Sequence, residues 1–145
     1  MRRKVFISGA AVAIIVAIVV GLLTVGGPIE ARREAYDLRR YNDLARISQA
    51  LWCPNLRIQR PILPNDLSLA TIRAYCGGTE IQADVLWDEE TQKPYRYERI
   101  SESQFSVCAD FYDAEKTMRL TGQLLSVGAQ ASFNPDTGCV TGRVE

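Results

Sequence analysis

The hydrophobic and polar positions along this chain divide it into an apolar start, a helical stretch and a region of strands. Residues 5–25 (VFISGAAVAIIVAIVVGLLTV) carry no charge and lie between Arg2-Arg3-Lys4 and Gly26-Gly27-Pro28. A helix rising about 1.5 Å per residue over that length matches a bilayer core of about 30 Å, so the pattern predicts a transmembrane helix over 5–25. A cleaved signal is the alternative, but its apolar core is usually only about 7–15 residues long. Residues 30–52 repeat apolar positions every three or four: Leu38, Tyr41, Ala45, Ser48 and Trp52, widened by Leu44, Ile47 and Leu51. This predicts an amphipathic helix whose wet side is Arg32, Arg33, Glu34, Asp37, Arg39, Arg40, Asp43 and Arg46.

Pro54 ends that helix, and Pro61 and Pro64 punctuate the loop after it. Asn65 or Asp66 can cap a short helix reaching Cys76, with Leu67, Ala70, Ile72 and Tyr75 inward and Gly77-Gly78 as its stop. From there the period changes to two. Strands are expected at 84–87, at 95–100 and at 104–111, where Phe105, Val107, Ala109 and Phe111 share one face and Cys108 lies on the other. Residues 117–127 read as a strand or a hairpin around Gly122. Residues 139–144 read as a final edge strand, fed by a turn at Asn134-Pro135-Asp136-Thr137-Gly138. The expected class is α+β: an N-terminal transmembrane helix, then an amphipathic helix packed on a small antiparallel sheet.

Charge adds an orientation. Arg2, Arg3 and Lys4 are the only charged residues before Glu30. They mark residues 1–4 as a cytoplasmic tip and 26–145 as an extracytoplasmic domain, an inner-membrane, single-pass topology with the C-terminal domain periplasmic. The chain is formally neutral, so the part beyond the tip carries −3 once those three cations are set aside. That argues against nucleic acid as a partner. There is no histidine among the 145 residues, which removes the commonest general base and metal ligand.

Four cysteines, Cys53, Cys76, Cys108 and Cys139, in a small exported domain read as two disulfides. They are too far apart for close-pair zinc spacing. Three pairings are possible. The sequential one, Cys53–Cys76 with Cys108–Cys139, is expected, because it pins the proline loop between two helices and joins neighbouring strands without interlocking the halves. Asp88, Glu89 and Glu90 form the densest acid cluster, a candidate for calcium only if a sharp turn gathers them; a solvated turn is the ordinary reading. No G-x-S-x-G elbow, S-x-x-K or C-x-x-C is present, so neither an enzyme nor a cofactor is expected.

Three segments resemble the pilin-like proteins, the type IV pilins and type II secretion pseudopilins. Residues 37–47 (DLRRYNDLARI) are similar to their helix leaving the membrane. Residues 63–67 (LPNDL) resemble the proline element after that helix. Residues 88–97 (DEETQKPYRY) resemble the "D-P-x-T-G-x-P-Y-x-Y" opening of the sheet, with 105–111 similar to the strand that follows. The family's processing site is missing: the fifth residue after Gly9 is Ile14, not glutamate, and Gln92 replaces the turn glycine. The resemblance therefore implies a pilin-like domain on a permanent anchor that does not polymerise by itself. It would be a structural or interaction subunit of a bacterial envelope, secretion or pilus-type assembly, with other envelope proteins as partners and the bilayer held through residues 5–25. A tethered small-ligand or calcium-binding domain is the alternative.

Overall fold

The computed structural model describes residues 13–21, 27–52, 62–76, 81–122 and 130–144. Its contacts divide the chain into two units, Met1–Arg33 and Glu34–Glu145. In the first, residues 13–21 are helical, and Ile14, Ile15, Val16, Ile18, Val19 and Val20 are all exposed. The expected transmembrane helix is corrected: among the described residues no helix is long and apolar enough to cross a membrane. The remainder of the 5–25 segment lies outside the described residues. The longest helix among the described residues is a charged one.

That helix, α1, is Pro28–Trp52. Pro28 suits a first helical position, where no partner for its missing N–H is needed. One face buries Tyr41, Leu44, Ile47, Ala50 and Leu51, which share a single core with Phe105, Val107 and Val140 of the sheet. Leu38 and Ala45 are only half-buried and Trp52 is exposed, so the apolar stripe is rotated from the expected one. The rotation has a cause in charge: Asp37, Arg40 and Asp43, expected on the wet side, are buried.

The short helix α2, Leu69–Cys76, is capped by neither Asn65 nor Asp66 directly. The Ser68 hydroxyl accepts from the Thr71 N–H, and Asp66 accepts from the Thr71 hydroxyl at 3.0 Å. Ile72 is buried, Leu67 and Tyr75 pack at the core's margin, and Ala70 is exposed. Residues 84–87, expected as a strand, are mostly a 3₁₀ turn, Ala83–Leu86, which buries Val85 and Leu86. The strand β1, Trp87–Asp88, follows and pairs antiparallel with β2, Lys93–Pro94. Between them Gln92 takes φ 54°, so the backbone keeps the left-handed turn that the resembled motif assigns to glycine.

The main sheet has four antiparallel strands: β3 (Arg96–Arg99), β4 (Gln104–Cys108), β5 (Gln130–Asn134) and β6 (Cys139–Arg143), in the order β3-β4-β6-β5. Phe105, Val107 and Ala109 face the core as expected. The last strand is not an edge: β6 lies between β4 and β5, because the Asn134–Gly138 turn folds it back on a strand that the sequence pattern did not reveal. Residues 114–121 are a further correction. They form helix α3, Ala114–Thr121, not a strand or hairpin. Asp113 accepts from the Lys116 N–H at 2.8 Å, and Gly122, at φ 58°, closes the other end. Residues 123–127 lie outside the described residues.

Cys108 and Cys139 face each other in the β4–β6 register and are joined by a disulfide, with Cα atoms 4.0 Å apart. The Cys53–Cys76 pairing falls outside the described residues. Replacing Cys108 and Cys139 together by alanine is expected to lower stability by about 3 kcal/mol, since the cross-link closes a long loop in the unfolded chain. Urea unfolding of the double variant beside the oxidised parent measures this.

Candidate functional site

The densest chemistry of the domain gathers around Arg40. Asp37 and Arg40 are one turn apart on α1, and the Arg40 Nη1 donates to Asp37 at 3.1 Å. Its Nε donates to Asp88 at 2.8 Å and its Nη2 to Glu90 at 2.5 Å, both from the β1–β2 turn. The guanidinium also lies over the Tyr112 ring, 5.4 Å from its centroid, and 6.0 Å from that of Tyr36. Arg39, outside this cluster and half exposed, pairs with Glu89.

The turn is shaped to present these acids. The Asp88 carboxylate accepts from the Glu90 N–H at 2.9 Å and more distantly from Thr91, while the Asp88 carbonyl accepts from the Gln92 N–H at 2.8 Å. Aspartate suits this position because its short side chain reaches its own backbone two residues on. Glu90 is thereby aimed at Arg40 and accepts from the Tyr112 hydroxyl at 2.8 Å. Asp37 extends the cluster to the start of α3: it accepts from the backbone N–H groups of Tyr112 and Asp113 at 3.0 and 2.8 Å. Helix, acid turn and α3 entry are thus tied through one guanidinium.

Burial by itself would lower the Arg40 pKa, but its bonds to Asp88 and Glu90 outweigh that and raise it above the ordinary arginine value. Asp88 shows the converse. Burial pushes its carboxyl up, yet Arg40 and the turn N–H groups hold it below the usual carboxylate range. A little further along α1, the buried Asp43 carboxylate accepts from the Tyr95 hydroxyl at 2.9 Å. Its carboxyl is pushed up to about 6, chiefly by burial, against the pull of Tyr95, Arg39 and Arg46. Burial and the neighbouring Asp43 charge drive the Tyr95 hydroxyl well above its normal range. Tyr97, which donates to the Pro64 carbonyl at 2.8 Å, is pushed up to about 12 by burial.

The three calcium candidates are therefore brought together, but by arginines: Arg39 holds Glu89, and Arg40 holds Asp88 and Glu90. Among the described residues no group of three or more His, Cys, Asp or Glu could hold a metal ion. An arrangement of this kind orients and rigidifies, because each carboxylate meets donors rather than a space for substrate. The sequence signal for it was present, since Asp37, Arg40 and Asp43 recur every third residue beside Tyr41 and Leu44. Helical spacing alone does not separate an inward charge from a solvated one. Elsewhere, an open depression is lined by Pro64, Ala70, Thr71, Ala74 and Tyr75, with no charged side chain in its wall. No protein-family model, curated protein or solved structure matches this chain.

Proposed function

We propose that this chain is a non-enzymatic interaction subunit of a bacterial envelope assembly, related to pilin-like proteins, whose Glu34–Glu145 domain works in an oxidising compartment outside the cytoplasm and acts by protein contact. The observation carrying this reading is how the domain distributes its side chains. Its strongest charges are spent inward on the Arg40 cluster, while Ile62, Trp87, Ile100 and Leu120 remain at least half exposed. Exposed large apolar groups beside a rigid charged frame suit contact with another protein. The outer positions of the sheet belong to β3 and β5, which are edges of the kind that accept a partner strand. The Cys108–Cys139 disulfide supports the compartment, and the order of helix, proline element, acid turn and antiparallel strands supports the family.

The test is retrieval of the tagged full-length chain from detergent-solubilised membranes of its own cell. A partner held in fixed stoichiometry is expected, and Trp87→Asp or Ile100→Asp should release it without lowering the melting temperature. Partner-free recovery after mild cross-linking would overturn the reading. A reporter active only outside the cytoplasm, fused after residue 145, should be active; activity confined to a cytoplasmic reporter would refute the compartment. A calcium-dependent rise in melting temperature would favour the ligand-binding alternative.

A further inference from the structure

The two edges of the main sheet are built differently. The Ala109 N–H donates to the Gly138 carbonyl and the Val144 N–H to the Ser103 carbonyl, which fixes the phase of the β4–β6 ladder. Main-chain bonding directions alternate along a strand, so Cys139, Thr141 and Arg143 of β6 turn theirs toward Asn134, Ser132 and Gln130 of β5. Ala131 and Phe133 therefore point their N–H and C=O groups away from the sheet. Among the described residues no hydrogen bond reaches those groups, and only β6 lies beside β5 in the sheet.

Strand edges are ordinarily guarded by charge, proline or a bulge. The β3 edge follows that rule. Three of its four residues, Arg96, Glu98 and Arg99, are charged, and the Tyr95 N–H next to it is already taken by the Leu86 carbonyl. The β5 edge has no such guard, since Gln130–Asn134 contains neither a charge nor a proline.

We propose that β5 is the contact surface for a second copy of this chain, whose own β5 pairs with it antiparallel across a two-fold axis at Ser132. The proposal rests on the protein-contact reading above and names the partner of this one edge. The strand is complementary to itself. A two-fold at Ser132 sets Ala131 opposite Phe133 of the other copy, twice over, and each opposed pair exchanges both main-chain bonds, so every open group of the two residues is satisfied. On the inner face a small side chain then meets a large one, and Phe133 is already held by the rings of Tyr41 and Phe111, with centroids 5.2 and 5.3 Å away. On the outer face the exposed Ser132 meets its counterpart, and no like charges are opposed. The same operation at the middle of β3 would set Glu98 against Glu98, a destabilising pair.

Sedimentation of the full chain in detergent tests this. Pairing through one short strand is weak, so a monomer at about 1 μM should become a dimer by about 500 μM. Over that range the Ala131 and Phe133 amides should gain about tenfold in hydrogen-exchange protection, with the amides of β3 unchanged. Ser132→Lys and Ser132→Glu, at an exposed position, should each stay monomeric with an unaltered melting temperature. An equal mixture of the two should dimerise again, because lysine then faces glutamate across the axis. A monomer at every concentration, or a dimer indifferent to Ser132→Lys, would overturn the proposal. So would protection of Ala131 and Phe133 that does not vary with concentration, which would mean that the edge is covered from within its own chain. None of these results bears on release of a partner by Trp87→Asp or Ile100→Asp, since neither residue lies on β5.

Discussion

Replacing Arg40 by methionine is expected to destabilise the protein by about 3–5 kcal/mol at pH 7, although methionine fills much of the same volume. The loss comes from what is left behind. Asp37 and Asp88 are 2% and 7% exposed, and without the guanidinium they become buried carboxylates with no cation in contact. Asp37 would keep its two backbone donors at Tyr112 and Asp113, and Asp88 its turn N–H groups. These lessen the penalty without removing it, since neutral donors stabilise a buried charge less than a facing ion does.

The pH dependence carries a second signature. In the parent, Asp88 lies below its unfolded value, so its contribution is present above that value and is lost as pH falls through its folded one. In the variant, burial is left to push the same carboxyl upward, so stability instead falls as pH rises through it. The gap between the two proteins should narrow on acidification. Adding Asp88→Asn to Arg40→Met should recover part of the loss, whereas Asp88→Asn alone should cost stability. Thermal unfolding of the four proteins in a double-mutant cycle gives the coupling directly. Equal losses at pH 4 and pH 7 would contradict the cluster's role.

Gly138→Ala should be nearly as damaging, at about 2–5 kcal/mol. Gly138 has φ 65°, a left-handed conformation that costs a residue with a side chain about 1–2 kcal/mol. The larger part is steric. A Cβ at that position would lie 2.5 Å from the Ala109 carbonyl oxygen and 3.1 Å from the Phe111 ring. The carbonyl belongs to backbone and cannot swing away. The Ala109 N–H donates to the Gly138 carbonyl at 3.0 Å, so relieving the clash also breaks the bond that continues the β4–β6 pairing. Overpacking of this kind adds about 1–3 kcal/mol. Gly142→Ala is a useful comparison, because its Cβ would instead meet the ring of Phe105, and side-chain repacking can absorb part of that cost. Denaturant midpoints for the two variants should place Gly138→Ala well below Gly142→Ala.

What the sequence determined by itself is the part governed by local spacing. The three-to-four repeat from Leu38 to Trp52 specifies a helix, the alternation at Phe105, Val107 and Ala109 specifies a core-facing strand, and Asn134–Gly138 specifies a turn. The Cys108–Cys139 pairing was legible because both cysteines sit on strand segments. The local reading also misled: residues 117–127 read as a strand or a hairpin around Gly122, whereas Asp113 and Gly122 cap 114–121 as a helix.

Tertiary structure decided which side of α1 is inside. By composition Asp37, Arg40 and Asp43 belong to water, and no rule of spacing brings them in. They turn inward because a hairpin some fifty residues later presents Asp88, Glu90 and Tyr95, and because the Tyr112–Asp113 backbone offers two N–H groups to Asp37. The position of β6 was settled in the same way, since its place inside the sheet depends on two partners and its own residues encode only an alternating face. A charge is buried only when its counter-charge arrives from elsewhere in the chain, and a strand's place is set by what pairs with it. Both are properties of pairs distant in sequence, so they emerge only when the fold brings the partners together.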